Sequence, residues 1–317
     1  MSTTQSAIEA SISLQDYYLP AAFSGVISLI AISISIMILI LVWRSKPRLH
    51  TVRHLLICNT SVASILYCIS QSLNYVFLIF LRSDTSDMSC RIRGYISYLS
   101  MCAVIYSFLI QSVSRLFISL YSSSHKWLTT FRAHYVLIFI QWIAVILIPL
   151  PALVTTDIRY RPTSMCFVAL RFFAHVVYTY VAYYTIPALT ICLIYVYIFI
   201  RVKKASRRAQ ITIRSTNSSK RDLELLRNIF IYLIIYLSGG IPSILFLLTT
   251  NRIIFLISMV TISLAVAIEK LMTLVMDRDM RQIMMGLLRI RTRIGPLENS
   301  LTAARIVENL YTIQQTK

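Results

Sequence analysis

Three charged side chains lie inside long apolar runs, and they are the residues of this chain best placed to do chemistry. Arg115 lies in the run 95–121, and Glu269 and Lys270 are neighbours in the run 253–276. If these runs cross a membrane, ionisable groups there are costly and normally serve a function inside a helix bundle. We find no nucleophile–base set, metal-ligand spacing or phosphate-binding loop, so we expect neither an enzyme nor a cofactor.

The composition indicates a membrane protein. Of the 317 residues, 57% are hydrophobic and 14% are charged, whereas soluble domains average about 45–50% and about 25%. A transmembrane helix needs about 20 mainly apolar residues, and continuous runs of this kind differ from the alternating pattern of a β-barrel. We therefore predict an all-α membrane protein, a seven-transmembrane helix bundle, with spans at 19–43, 54–81, 92–121, 133–154, 172–200, 229–249 and 253–276.

The net charge of +19 reflects topology and attraction to membrane lipids, since no nucleic-acid motif accompanies it. Segment 44–53 carries four Lys or Arg, and segment 201–227 carries nine against two acids. By the positive-inside rule both segments are cytoplasmic. Residues 280–290 alternate basic and apolar side chains, which predicts a short amphipathic eighth helix on the inner leaflet. The predicted regions are an extracellular N-terminus, a transmembrane domain, and a cytoplasmic eighth helix with tail: 1–18, 19–276 and 277–317.

The spacing between Cys90 and Arg115 places these residues at opposite membrane faces. They are 25 positions apart, which is about 37 Å of helix and slightly more than the hydrocarbon thickness. A cysteine at the outer end and an arginine at the inner end of the third helix resemble the rhodopsin-like (class A) G-protein-coupled receptors. Further positions fall in register with that family along nearly the whole chain: Trp142, Pro149, Pro151, Pro187, Tyr195, Asp222 and Pro242.

The resemblance implies a switch at the inner ends of the third and sixth helices. An ion pair between Arg115 and Asp222 would hold the inner mouth shut, and a ligand that favours an open arrangement would break it. Tyr195 could then hydrogen-bond towards Arg115, which would face a heterotrimeric G protein. The alternative is that Arg115 only extends to the membrane interface, and that Asp222 pairs with Arg221 or Arg227.

The resemblance also implies a disulfide between Cys90 and Cys166 that holds the second outer loop over the bundle; two free thiols are the alternative. It further implies bends in the fifth and sixth helices, because proline removes a backbone hydrogen bond. Small residues that only allow close helix packing are the alternative explanation for the sixth helix. The candidate hinge residues are Pro187, Gly239, Gly240 and Pro242.

Several positions depart from the family's pattern. Ser114 replaces the acid before the arginine, Ser64 replaces the aspartate of the second helix, and Gly240 replaces the tryptophan of the sixth. In the seventh helix, residues 269–273 replace the N-P-x-x-Y motif. These departures put the family's sodium-binding cluster and its tryptophan and tyrosine switches in doubt.

We expect an intramembrane polar cluster of Ser64, Glu269 and Lys270. Our hypothesis is that Glu269 faces Ser64 and restores the carboxylate that the second helix lacks; a neutral glutamate bonded to a backbone carbonyl is the alternative. Adjacent helical residues point about 100° apart, so we expect Glu269 and Lys270 not to pair. Lys270 would instead extend inward, towards Asp277.

The outer half of the bundle predicts a cationic and aromatic ligand mouth, which suits a peptide or an acidic small molecule. A solvated rim that contacts lipid headgroups is the alternative. The candidate mouth residues are Arg93, Ser97, Arg159, Arg161 and Tyr178.

The predicted function is a plasma-membrane receptor that transmits ligand binding to a heterotrimeric G protein. Arrestin and a receptor kinase are further candidate partners. A receptor fold that no longer signals, a decoy, is the second interpretation. A transporter is the third, although we find none of the internal repeats that transporters tend to show.

Overall fold

The computed structural model describes residues 15–45, 49–80, 87–121, 126–155, 157–158, 166–168, 172–209, 216–249 and 251–286. For residues 120–121, 126, 202, 204–209, 216–229, 233 and 252 it describes the backbone alone. Seven helices in this part of the chain are long and apolar enough to cross a membrane. The predicted all-α, seven-helix architecture is therefore confirmed.

The seven helices extend slightly beyond the apolar runs that predicted them, and α6 begins 13 residues before its run. An apolar run marks only the part of a helix that lipid surrounds, whereas backbone hydrogen bonds continue through polar turns. The helices are α1 (Gln15–Arg44), α2 (Val52–Phe80), α3 (Asp87–Tyr121), α4 (Phe131–Leu147 and Leu150–Val154), α5 (Phe173–Tyr180, a π-turn at Val181–Thr185, and Ile186–Ala209), α6 (Thr216–Thr249) and α7 (Arg252–Met276).

Proline accounts for the irregularities of α4 and α5. Pro149 and Pro151 lie at the break between the two segments of α4. In α5, Pro187 has no N–H with which to bond the carbonyl of Tyr183. The turn before it widens, and the N–H of Ile186 bonds the carbonyl of Val181, five residues back. The candidate hinge at Pro187 thus lies next to a π-turn, a feature that is frequent at functional sites.

Side-chain caps fix both ends of α7. The Asn251 side chain accepts a hydrogen bond of 2.9 Å from the N–H of Ile253 at its start. At its end, Asp277 breaks the helix and accepts from the N–H groups of Asp279 and Met280. Residues 278–286 are helical again. This covers the described part of the predicted eighth helix, and residues 287–290 lie outside the described residues.

The face of the bundle at the start of α3, which we call the outer face, carries a lid built on the predicted disulfide. Cys90 at the start of α3 is bonded to Cys166, with their Cα atoms 5.3 Å apart, so this prediction is confirmed. Ile158 forms an antiparallel bridge with Val168. The N–H of Val168 donates to the Tyr98 hydroxyl at 3.0 Å, so the lid is held to α3 at two points.

Polar side chains join α2, α3 and α4 inside the bundle. Asn59 donates to Gln141 at 2.7 Å and accepts from the Trp142 indole at 3.0 Å. Gln111 donates to the Thr60 hydroxyl at 2.6 Å. Such bonds stabilise helix pairs where water cannot compete.

Replacing Gly94 by Ala should destabilise the lid. A Cβ atom at Gly94 would overlap the carbonyl oxygen of Cys166 and lie 2.7 Å from Cγ2 of Ile158, so the lid must shift. Gly25→Ala is the matched control, because nothing lies within 4 Å of that Cβ and alanine favours helix by about 1 kcal/mol. Thermal unfolding of the purified protein should show a lower midpoint for Gly94→Ala alone. Equal midpoints for the two variants would contradict this close approach.

Candidate functional site: the inner mouth and the buried polar centre

The inner end of α3 is held against α4 by a histidine. The Ser114 hydroxyl lies 2.8 Å from Nε2 of His134, whose Nδ1 lies 2.8 Å from the carbonyl oxygen of Thr130. A carbonyl oxygen only accepts, so Nδ1 carries the hydrogen, and in the neutral ring Nε2 accepts from Ser114. Both side chains are 1% exposed. The residue before Arg115 therefore bonds to α4.

Arg115 and Tyr195 lie close together at this end of the bundle. Tyr195 is within electrostatic range of Arg115 and accepts a hydrogen bond of 3.4 Å from Ser112. The ring of Phe230 on α6 packs edge-on against Tyr195, with centroids 6.1 Å apart. The side chain of Asp222 lies outside the described residues, so its ion pair with Arg115 stays a prediction.

An ionic contact that the sequence reasoning missed joins α2 to the end of α7. Asp277 forms an ion pair of 3.0 Å with Arg53, and Nε2 of His54 lies 3.6 Å from the same carboxylate. Asp277 and His54 are almost fully buried, whereas Arg53 is partly exposed. We call these three residues the Asp277 cluster. The signal for this cluster in the sequence was Asp277, an acid directly after an apolar run. From the sequence alone, the expected partner of this acid is Lys270 rather than Arg53.

The electrostatics of the Asp277 cluster favour the charged carboxylate. Burial by itself raises the pKa of the Asp277 carboxyl, but His54, Arg53 and the N–H of Met280 together hold it below its usual range. The carboxylate therefore stabilises both the α2–α7 contact and the start of the helical residues 278–286.

Glu269 and Lys270 pair with each other in the middle of the inner half of α7. Nζ of Lys270 lies 3.0 Å from Oε2 of Glu269, and the Thr273 hydroxyl donates to Oε1 at 3.2 Å. The prediction that the two neighbours do not pair is wrong, because the flexible lysine stem bends back along the helix. Lys270 does not extend to Asp277, whose carboxylate pairs with Arg53 instead.

Ser64 is fully buried on α2, and its hydroxyl has no hydrogen-bond partner within the described part of the chain. Among these residues no hydrogen bond joins Ser64 to Glu269, so the idea that the two side chains face each other remains a hypothesis.

The glycines of α6 lie at close helix contacts. A Cβ at Gly239 would lie 2.5 Å from that of Ala265 on α7, and the Thr261 hydroxyl donates to the Gly239 carbonyl at 2.9 Å. A Cβ at Gly240 would overlap the Tyr184 hydroxyl on α5. This geometry supports the packing explanation, and the hinge at Gly239, Gly240 and Pro242 stays a prediction.

The described mouth arginines are engaged by their neighbours. The Arg93 guanidinium stacks 3.9 Å from the centroid of the Phe77 ring, and Arg91 donates to the carbonyl oxygen of Leu153. Ser97 accepts from Asn74 at 2.6 Å and donates to the Arg93 carbonyl at 3.0 Å. Arg159 and Arg161 lie outside the described residues.

Below the lid lies a tyrosine cluster, defined as Tyr98, Tyr178 and Tyr183 with Phe167. Tyr98 packs edge-on against Phe167 and Tyr183, with centroids 5.6 and 5.8 Å apart. Tyr178 donates to the Ile148 carbonyl at 2.9 Å. The Tyr183 hydroxyl is buried and has no partner among the described residues. Tyr178 was a candidate mouth residue in the sequence, but nothing in the sequence placed Tyr98 and Tyr183 beside it.

Seven spanning helices, a disulfide at the outer end of α3 and an arginine at its inner end now define the architecture. The sequence matches the family model of the 7 transmembrane receptor (rhodopsin family) over residues 35–276. The chain belongs to this receptor family. No curated protein matches the sequence. The chain is thus a multi-pass membrane receptor whose family membership rests on the helical domain as a whole.

Replacing Asp277 by Asn should lower the receptor's unfolding free energy by about 2 kcal/mol at pH 7, because a buried ion pair loses one member. A carboxyl with a lowered folded pKa stabilises the fold above its unfolded pKa, about 3.9, and this contribution is lost as the pH falls through the folded value. The thermal unfolding midpoint of the wild type should therefore fall more steeply below about pH 4 than the midpoint of Asp277→Asn.

The exposed neighbour Asp279 supplies the matched control, since Asp279→Asn keeps its backbone N–H bond to Asp277. Its midpoint should equal that of the wild type or lie slightly above it, because the Asp279 carboxylate lies within 4.8 Å of the Asp277 carboxylate and like charges repel. If Asp277→Asn retained the wild-type midpoint and acid profile, the ion pair would have no stabilising role.

Proposed function

We propose that this receptor transmits the binding of an extracellular ligand to a heterotrimeric G protein through Arg115. The observation that carries the proposal is the position of Arg115 at the inner end of α3, close to Tyr195 on α5. The preceding residue, Ser114, bonds to His134. An arginine that interacts with a neighbouring helix can take part in a switch between helices.

In the resting state, Asp222 on α6 pairs with Arg115 and keeps the inner mouth closed. Ligand binding favours an arrangement in which the inner half of α6 moves away, with the bend at Gly239, Gly240 and Pro242. Tyr195 then hydrogen-bonds to Arg115, and the arginine contacts the G protein. The free energy for this shift comes from the difference in ligand affinity between the two arrangements.

The proposed ligand is a peptide or an acidic small molecule with an apolar part. Arg93, Arg159 and Arg161 would bind its acidic group at the rim, where the Arg93 guanidinium also stacks on the Phe77 ring. The apolar part would lie against the tyrosine cluster and accept a hydrogen bond from Tyr183. The support is the buried Tyr183 hydroxyl, which has no hydrogen-bond partner in the described bundle. A buried hydroxyl without such a partner costs free energy.

In this proposal the receptor is in the plasma membrane, with residues 1–18 outside and residues 277–317 in the cytoplasm. The basic inner segments support this orientation and would attract anionic lipids. Arrestin and a receptor kinase would act on the same cytoplasmic face. A decoy receptor is the second candidate, favoured by the serine at 114 and by Glu269 and Lys270 in place of the family's motif.

Arg115→Ala should abolish both basal and ligand-stimulated G-protein activation while leaving surface expression intact. The measurement is nucleotide exchange on purified G proteins with receptor in lipid nanodiscs. Arg44→Ala is the control, because Arg44 is an exposed arginine at the inner end of α1. If the wild-type receptor never stimulates more nucleotide exchange than Arg115→Ala does, with any peptide or organic acid that it binds, the decoy interpretation is favoured.

Tyr183→Phe should weaken ligand binding about tenfold, because one hydrogen bond contributes about 1–1.5 kcal/mol. Arg161→Gln should weaken it by at least as much if the ligand is acidic, since bonds to charged groups are stronger. The measurement is displacement of the first ligand found by screening peptides and organic acids. Tyr135→Phe, on an exposed tyrosine of α4, is the control. Unchanged binding for Tyr183→Phe would remove the tyrosine cluster from the site.

A further inference from the structure

One nitrogen atom of the Asp277 cluster, Nε2 of His54, is buried and makes no hydrogen bond within the described residues. The His54 side chain is 2% exposed, and this nitrogen lies 3.6 Å from Oδ2 of Asp277. A hydrogen bond between a nitrogen and an oxygen spans about 2.7–3.2 Å, so the gap is too wide for one. A buried polar atom without a bond is costly, and this one is directed at a carboxylate.

The other ring nitrogen of His54 fixes the direction of the ring. Nδ1 lies 2.7 Å from the hydroxyl of Thr51, the residue before α2. When Nδ1 donates its hydrogen to this hydroxyl, Nε2 carries a lone pair. Histidines that bind metals almost always engage their second ring nitrogen in such a hydrogen bond, which sets the orientation of the ring. The contact with Thr51 therefore holds Nε2 in the position of a ligand.

A second carboxylate lies beside this pair. One ligand atom from each of His54, Asp277 and Asp279 lies within 4.8 Å of the other two. The backbone N–H groups of Asp279 and Met280 donate to Oδ1 of Asp277, whereas Oδ2 faces the histidine. Asp279 is exposed, so its side chain can rotate towards the other two without repacking. An imidazole nitrogen and two carboxylate oxygens thus converge at the end of α7.

This set of donor atoms and its spacing suit a zinc ion. Zn²⁺ binds imidazole nitrogen and carboxylate oxygen at about 2.0–2.2 Å in a tetrahedral arrangement, so two ligand atoms lie about 3.4 Å apart. The 3.6 Å between Nε2 of His54 and Oδ2 of Asp277 is close to that separation. Mg²⁺ and Ca²⁺ take oxygen ligands, and a histidine at the centre of the group disfavours them. Three protein ligands leave the fourth position to water.

Arg53 competes with a metal ion for the same oxygen atom. Its guanidinium lies 3.0 Å from Oδ2 of Asp277, and its side chain is 24% exposed. One guanidinium faces two carboxylates, those of Asp277 and Asp279, so a divalent cation would balance their charge more completely. A long arginine side chain can move its charged end into water while its stem stays packed. Arg53 can therefore give up this position to the ion.

We propose that His54, Asp277 and Asp279 form a zinc site, and that Zn²⁺ displaces the guanidinium of Arg53 from it. The ion joins α2, the end of α7 and the helical residues 278–286, whereas Arg53 joins α2 to Asp277 alone. Two of the ligands, His54 and Asp277, are more than 200 residues apart in sequence, so no spacing motif marks the site. Its test needs neither a ligand nor a G protein and does not depend on the proposed signalling function.

The experiment titrates metal-free, tag-free, full-length receptor in lipid nanodiscs with ZnCl₂ against a chromophoric zinc chelator at neutral pH. The wild type should bind one equivalent of Zn²⁺, and about 1 mM MgCl₂ should not compete. His54→Asn and Asp279→Asn should each weaken binding about tenfold or more, since even the groups that orient metal ligands contribute about 10–100-fold. Arg53→Gln should bind about fivefold more tightly, because the competing cation is gone.

His50→Asn is the matched control, because His50 is an exposed histidine near the start of α2 that stacks on Phe131. It should bind Zn²⁺ as the wild type does. If His54→Asn does not fold, Asp279→Asn decides the test, since Asp279 is exposed.

Absence of Zn²⁺ binding by the wild type would overturn the proposal, whatever Arg53→Gln does. Wild-type affinity in Asp279→Asn or loss of binding in His50→Asn would also overturn it, because the ion would then be bound elsewhere. Equal affinities of Arg53→Gln and the wild type would contradict the displacement of Arg53. One equivalent of Zn²⁺ that depends on His54 and Asp279, but not on His50, would support the site.

Discussion

The cost of placing polar groups in hydrocarbon is the constraint on which the rest of this receptor depends. Lipid offers no hydrogen bonds, so each backbone group is satisfied within a helix, and each charged side chain finds a partner inside the bundle. The structure meets this requirement with contacts between helices that are far apart in sequence. Ser24 with Ser263 and Asn59 with Gln141 are examples. Polar residues thereby specify which helices are neighbours, while apolar residues only keep them in the membrane.

The α3 helix is held at both ends by contacts with the lid and with α4. At the outer end, the disulfide of Cys90 and the bond between Tyr98 and Val168 join it to the lid. At the inner end, Ser114 bonds to His134 of α4. The α6 helix instead meets its neighbours through glycines, at contacts with α5 and α7. The two helices thus differ in their contacts, since hydrogen bonds and a disulfide hold α3, whereas close packing at glycines holds α6.

The α7 helix carries two ionic contacts of different kinds. The pair of Glu269 and Lys270 is local to one helix and lies in the bilayer, so it neutralises charge without joining two elements. The Asp277 cluster lies past the end of α7 and joins that end to α2. Asp277 also caps residues 278–286, so one carboxylate joins the end of α7 both to α2 and to the helical residues that follow. The first contact therefore compensates charge inside the membrane, and the second joins two helices at the membrane surface.

The sequence by itself determined the number of spans, since the length of an apolar run depends on helix geometry and membrane thickness. The spacing of Cys90 from Arg115 indicated the resemblance to the family, and that resemblance implied the disulfide. The orientation of the chain is predicted from the same sequence, by the positions of its basic segments. Tertiary structure decided the partners. Arg53 pairs with Asp277 across more than 200 residues of sequence, and His134 reaches Ser114 only because α4 packs against α3. Lys270 bends back to Glu269 because its flexible stem overrides the angle between neighbouring residues. Such choices depend on which helix faces become adjacent and on side-chain rotamers, and periodicity along one helix records neither.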